Sequence, residues 1–316
     1  DRIYIVACGT SFYAGLTAEY FFEKLAKVPV EVELASEFRY REPIMTPNCL
    51  MITISQSGET ADTLAALRLA KKMGATTLSI CNVHRSTIDR EADGQLYMRC
   101  GAEIGVASTK AFTSTQTLLA LLSVYTGRVK GVLTAADEQK HLASLLALPS
   151  QMETVLNHAK FFESAAMTLK NAKGFLYLGR GANFPIALEG ALKLKELAYM
   201  HAEGYAAGEM KHGPIALIDK DMIVVVVAPK DDVYEKTVSN LEEVRARGGQ
   251  VVSIGTGTDS KLEKISQHYL ALPEAQWFIN PMLAVIPLQL LAFYVASALG
   301  HDVDQPRNLA KSVTVE

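Results

Sequence analysis

The chain reads as an α/β protein of two tandem three-layer αβα domains, each built on a parallel sheet. Three observations predict this: short, continuously apolar runs alternate with helical periodicity, one half of the chain repeats the other, and the 316 residues suit two domains of about 150 residues each.

The apolar runs cover residues 3–7, 50–54, 77–80, 175–178, 223–227 and 251–254. None alternates with polar residues, so each predicts a strand buried on both faces, as in a parallel sheet covered by helices. Residues 61–73, with Leu64, Leu67 and Leu69, and residues 234–247 read as helices between them. In such a sheet, ligands bind at the C-terminal ends of the strands.

The repeat emerges when the sequence is laid along itself. Ile3-Tyr4-Ile5-Val6-Ala7-Cys8-Gly9-Thr10-Ser11 aligns with Phe175-Leu176-Tyr177-Leu178-Gly179-Arg180-Gly181-Ala182-Asn183, Ser79 with Ser253, and Gly127 with Gly300, at offsets of 172, 174 and 173. Gly127 is read as ending a helix, as Gly300 does. Residues 135–172 are rich in Glu, Lys, His and Gln and read as one or two amphipathic helices at the boundary, giving domains at 1–150 and 151–316. The first half opens directly on its strand, which predicts that further residues precede it in the whole protein.

A net charge of −3, from 31 Lys and Arg against 34 Asp and Glu, excludes nucleic-acid binding by bulk charge. The four cysteines, Cys8, Cys49, Cys81 and Cys100, have no C-x-x-C spacing and suit neither a zinc site nor a disulfide scaffold, so a reducing, cytoplasmic setting is expected. No targeting segment is evident. Residues 277–300 carry no charge and have the length of a membrane span, but Asn280, Pro281, Pro287 and Gln289 lie within them. A similar uncharged run at 111–127 makes two buried helices the simpler reading.

After the apolar run 50–54 comes Ser55-Gln56-Ser57-Gly58-Glu59-Thr60, then a helix. A helix N-terminus offers backbone N–H groups and the positive end of its dipole, Gly58 permits a tight turn, and three hydroxyls add hydrogen-bonding groups, a pattern suited to an oxyanion. The competing reading is a helix cap. The equivalent turn of the second half, Ala228-Pro229-Lys230-Asp231-Asp232, has no hydroxyls and two carboxylates that would repel an anion. Neither Gly9-Thr10-Ser11 nor Gly179-Arg180-Gly181 completes a dinucleotide fingerprint, and no Walker lysine follows the serines, so nucleotide binding is a weak alternative.

On a helix through 185–200, Glu189, Lys193 and Glu196 share one face, which by spacing alone also fits a solvated salt-bridge stripe. The loop 204–214 holds His212 ahead of Gly213 and Pro214, in a turn where it would act as a proton donor or acceptor or simply be hydrogen-bonded. The tail from His301 carries Lys311. No histidine has metal-ligand spacing, and neither a metal nor a cofactor is expected.

Taken together, Cys8-Gly9-Thr10-Ser11, the 55–60 loop, Glu103-Ile104-Gly105-Val106-Ala107-Ser108-Thr109-Lys110, Lys193-Leu194-Lys195-Glu196, Glu209-Met210-Lys211-His212-Gly213-Pro214 and Asp304-Gln305-Pro306-Arg307-Asn308-Leu309-Ala310-Lys311-Ser312-Val313-Thr314-Val315-Glu316 carry a resemblance. They resemble the sugar isomerase (SIS) family, and within it the isomerase domains of the glutamine–fructose-6-phosphate aminotransferases, or glucosamine-6-phosphate synthases. The resemblance covers essentially the whole chain.

It implies an SIS-type fold and conversion of fructose 6-phosphate, with ammonia, into glucosamine 6-phosphate. Ser55, Gln56, Ser57 and Thr60 would hold the phosphate, and Thr10, Ser11, Val106, Ser108 and Ala310 would contact the sugar. Lys311 would form an imine with the open-chain ketose. His212, from the neighbouring subunit of a homodimer, would open the ring, and Glu196, assisted by Lys193, would carry the proton between C1 and C2. The family's N-terminal glutaminase domain, its partner in the full-length enzyme, is absent from this chain. A non-enzymatic phosphosugar sensor would need only the serine loop, and the tail argues against a deglycase or a plain phosphosugar isomerase.

Overall fold

A computed structural model describes residues 2–314 and divides the chain into two units. The first comprises Asp1–Leu142 with Asn308–Glu316, the second Ala143–Arg307. The boundary therefore falls a few residues before the expected position. The tail, expected with the second domain, groups with the first, because the hydrogen bonds of Lys311, Ser312 and Val313 run to residues of that unit. Val315 and Glu316, the last residues of the tail motif, lie outside the described residues, as does Asp1.

The first unit runs β1 (Ile3–Ala7), α1 (Gly9–Phe21), β2 (Val30–Leu34), α2 (Ala35–Phe38), β3 (Leu50–Ser55), α3 (Ala61–Lys72), β4 (Thr76–Cys81), α4 (Thr87–Glu91), β5 (Gly94–Tyr97) and α5 (Lys110–Val129). Its strands form one parallel sheet in the order β2-β1-β3-β4-β5. Helices α1 and α5 pack together, and α3 packs against α2 and α4. The long α6 (Ala135–Leu156) leads across the boundary.

The second unit repeats the plan with α7 (Ala159–Leu169), β6 (Gly174–Gly179), α8 (Phe184–Ala198), β7 (Ala202–Ala206), β8 (Met222–Ala228), α9 (Tyr234–Ala246), β9 (Gln250–Thr256), α10 (Ser260–Ile265), β10 (His268–Leu272) and α11 (Asn280–Ala298). Its parallel order, β7-β6-β8-β9-β10, is that of the first sheet strand for strand. The duplication extends to the backbone: Gly9 and Gly181, after β1 and β6, adopt φ of +53° and +54°. Glycine visits that region without the Cβ penalty and lets each strand turn sharply toward its helix.

All six expected strands are present, and they are the six inner strands of the two sheets. β1, β6 and β8 are buried along their entire length, consistent with their unbroken apolar sequences. The expected helices correspond to α3, α5, α8, α9 and α11, and the boundary region resolves into α6 and α7. Helix α11 accounts for the uncharged stretch, because it packs within its unit against α7 and α8 with 67% of its apolar window buried.

One reading changes. Gly127 lies inside α5 rather than ending it, since a Cβ there would come within 2.3 Å of the Leu25 carbonyl oxygen. The glycine is demanded by close packing. Gly300 does follow its helix, with φ +77°.

Candidate functional site

In the order of the first sheet, β1 and β3 are neighbours from which the chain departs in opposite directions, the switch point where a crevice opens beyond the strand ends. The turns after these two strands carry Gly9-Thr10-Ser11 and the 55–60 loop. They border a cavity of about 180 Å³ lined by Thr10, Ser11, Ser55, Gln56, Ser57, Thr60, Val106 and Ser108. Lys311, Ser312 and Val313 of the tail line it too, with Cys8 and Thr63. Ala310 is exposed, next to Lys311, and is not among the lining residues.

The loop is internally ordered. The Ser55 Oγ accepts the Gly58 N–H at 3.0 Å and lies 2.9 Å from the Thr60 Oγ1, and the Ser57 Oγ accepts the Glu59 N–H at 3.2 Å. Thr60, which precedes α3, makes no side-chain cap to the helix. The serines therefore shape the loop, and the simple helix-cap reading does not describe them. Gly58 has φ +69°, and a Cβ on it would fall 1.9 Å from the Ser86 Oγ. The segment after β4 braces the loop from outside: Asn82 and Ile88 donate backbone N–H groups to the Gln56 and Gly58 carbonyls, and the Thr87 N–H reaches the Glu59 Oε1.

Three consecutive tail residues are fixed at this cavity. The Lys311 Nζ donates to the Glu103 Oε2 at 2.5 Å and to the Gly105 carbonyl at 2.8 Å. The Ser312 Oγ lies 2.9 Å from the Ser57 Oγ, and the Val313 carbonyl accepts the Ala61 N–H at the start of α3. Burial alone would push the Glu103 carboxyl up, but the Lys311 ammonium and the Thr109 and Ala111 N–H groups hold it below the usual carboxylate range. Hydroxyls of the 55–60 loop and one lysine thus meet around one small space, an arrangement able to bind an oxyanion beside an amine.

In the second unit the corresponding turn carries its own anion. Asp231 accepts the Val233 N–H at 3.0 Å just ahead of α9, and the Asn183 side chain reaches it at 3.5 Å.

Helix α8 brings Lys193 and Glu196 together. The Lys193 Nζ lies 2.5 Å from the Glu196 Oε2 and 3.4 Å from the Glu189 Oε1. Lys193 and Glu189 are buried, so the solvated-stripe reading of this face does not hold. Burial would lower the Lys193 ammonium, but the two carboxylates outweigh it and raise the group above the ordinary lysine value. His212 stands exposed at the end of a short helical turn, Ala207–His212, ahead of Gly213 at φ +149°. Lys193 and Glu196 belong to one unit and Lys311 to the other.

Sequence reasoning placed Glu189 on one face with Lys193 but overlooked Glu103 as the partner of Lys311. Glu103 opens a segment already singled out, and the signal was available: it is the only acidic residue between Asp93 and Asp137.

A sequence profile of the SIS domain matches residues 1–125 and 168–299, one segment in each half. The chain belongs to the SIS-domain family. Over its whole length this SIS protein is 53% identical to the isomerizing glutamine–fructose-6-phosphate aminotransferases of Chlorobaculum tepidum and Escherichia coli K12, covering 51% and 52% of them. It spans about half the length of the curated relatives it matches. Among solved structures, the C-terminal domain of the glucosamine-fructose-6-phosphate aminotransferase from Francisella tularensis superimposes with a TM-score of 0.92 at 44% identity, covering 96% of this chain and 86% of that one. The two-domain SIS fold and the likeness to the SIS half of these aminotransferases follow directly.

Proposed function

We propose that the chain is the sugar isomerase portion of an isomerizing glutamine–fructose-6-phosphate aminotransferase and converts fructose 6-phosphate through an imine on Lys311. One observation carries the reading: Lys311, from the last nine residues of the sequence, lines the same cavity as the Ser55, Gln56, Ser57 and Thr60 loop.

The chemistry follows from the residue types. Ser55, Gln56, Ser57 and Thr60 anchor the phosphate, with Thr10, Ser11, Val106, Ser108 and Ala310 against the sugar. Lys311 gives up one proton to solvent and, as the free amine, condenses with the C2 carbonyl of the open-chain ketose, forming a carbon–nitrogen double bond and releasing water. Ammonia then adds at C2 and displaces the Lys311 amine; the ketimine so formed makes the C1 proton more acidic, and a carboxylate within reach of both carbons returns it to C2, leaving an aldehyde at C1 and the new nitrogen on C2. Glu196 serves as that carboxylate and Lys193, held against it, sets its position. His212 of the neighbouring subunit of a homodimer opens the ring. The tail, already held at the cavity, excludes water from the sugar once the phosphate is bound.

The reading carries with it a cytoplasmic enzyme whose amination of the sugar draws ammonia from a glutaminase domain or from solution. The test is incubation with fructose 6-phosphate and ammonia in deuterated water, without glutamine, followed by NMR. Glucosamine 6-phosphate should accumulate, with deuterium at C2 reporting exchange during transfer. Sugar that binds but neither isomerises nor exchanges would favour a phosphosugar sensor.

A further inference from the structure

The segment 103–110 supplies Val106 and Ser108 to the cavity, but the reading above assigns nothing to its first residue. The Glu103 side chain is only 4% exposed. Its Oε1 accepts the backbone N–H groups of Thr109, at 2.9 Å, and Ala111, at 3.1 Å, at the start of α5. Its Oε2 faces the Lys311 Nζ. Each oxygen thus has its own task. Capping alone would not require so long a side chain, since a Ser, Asp or Asn at the position of Thr109 caps a helix locally, and Thr109 makes no such cap.

The tail's other two anchors, Ser312 to Ser57 and Val313 to Ala61, both run to the 55–60 loop and α3. Glu103 and Gly105 provide the anchors on a second segment, the one that carries Val106 and Ser108. We propose that Glu103 is a positioning residue for Lys311: one oxygen fixes the lysine amine at the cavity while the other fixes the segment that contacts the sugar, so a single carboxylate sets the spacing between the two. The inference rests on the imine-forming reading of Lys311.

Glu103→Gln separates the two tasks. The amide oxygen still accepts from Thr109 and Ala111, whereas its NH₂ meets the ammonium donor to donor. The variant should remain cooperatively folded by circular dichroism and bind fructose 6-phosphate within about threefold of the parent by calorimetry. The kcat for ammonia-dependent formation of glucosamine 6-phosphate and the rate of borohydride trapping of the sugar on Lys311 should each fall by about tenfold or more, the scale of one lost charge-assisted hydrogen bond. Trapping and turnover at the parent's rate would overturn the proposal. So would a loss of sugar affinity matching the loss of kcat, because that is the signature of a disrupted loop. Glu103→Ala, which removes both oxygens, should weaken affinity as well, and an Ala variant that keeps parental kcat also overturns it. If the parent itself traps no sugar, the reading of Lys311 fails first, and the control separates that failure from this one.

Discussion

Ser57, in the loop after β3, and Ser312, in the tail, share a hydrogen bond of 2.9 Å although 255 positions separate them. The bond lies between the Ala61 contact to Val313 and the Glu103 contact to Lys311, so the tail is registered to the loop residue by residue. A lysine on a free terminus would sample many positions. Here its neighbours are held, and the entropy of ordering it is largely met before a ligand binds.

That registration predicts coupling. In a double-mutant cycle on kcat/KM, Ser57→Ala and Ser312→Ala should be non-additive by about 0.5–1.5 kcal/mol, the net worth of one such hydrogen bond. Strict additivity would mean that the contact has no part in catalysis.

Gly58 predicts a local failure. An alanine would have to hold φ +69°, which costs about 1–2 kcal/mol, and its methyl would collide with Ser86. Gly58→Ala should therefore lower stability by at least that amount in urea titrations and weaken fructose 6-phosphate binding by tenfold or more, about 1.4 kcal/mol. Parental affinity in the variant would show that the loop does not hold the phosphate.

In helix α8, Lys193 compensates buried Glu189 as well as Glu196. Lys193→Ala would strip a buried carboxylate of its cation, which typically costs about 3–5 kcal/mol. Equilibrium unfolding should register a loss of that size together with lost turnover. A change in turnover without a change in stability would contradict the structural half of this role.

Asp93 gives a pH dependence with a definite sign. The Thr77 hydroxyl and N–H groups and the Lys71 ammonium hold its carboxyl down at about 2, against an ordinary 3.8. A depressed carboxyl contributes stability fully above its unfolded value and loses it as pH falls through the folded one. Stability should therefore decline between pH 3.8 and about 2, and Asp93→Asn should flatten that decline. Parallel curves for parent and variant would refute the assignment.

The inner strands were legible because burial on both faces leaves an unbroken apolar run, as in Met222–Ala228. The strands that sequence reading missed, β2, β5, β7 and β10, are the four sheet edges. There one side of the strand has no neighbour and burial is partial, so Val30-Glu31-Val32-Glu33-Leu34 and Ala202-Glu203-Gly204-Tyr205-Ala206 carry polar residues that break the pattern. The 55–60 loop was legible because its chemistry is local. The partners of Lys311 were not, since Glu103 lies 208 positions away and only the folded chain brings the two together.

The most direct test of the account is borohydride reduction of the chain incubated with fructose 6-phosphate, followed by mass mapping of its peptides. A single sugar adduct on Lys311, lost in Lys311→Ala while fructose 6-phosphate still binds, is the predicted result. No adduct, or one on Lys193 or another lysine, would contradict it.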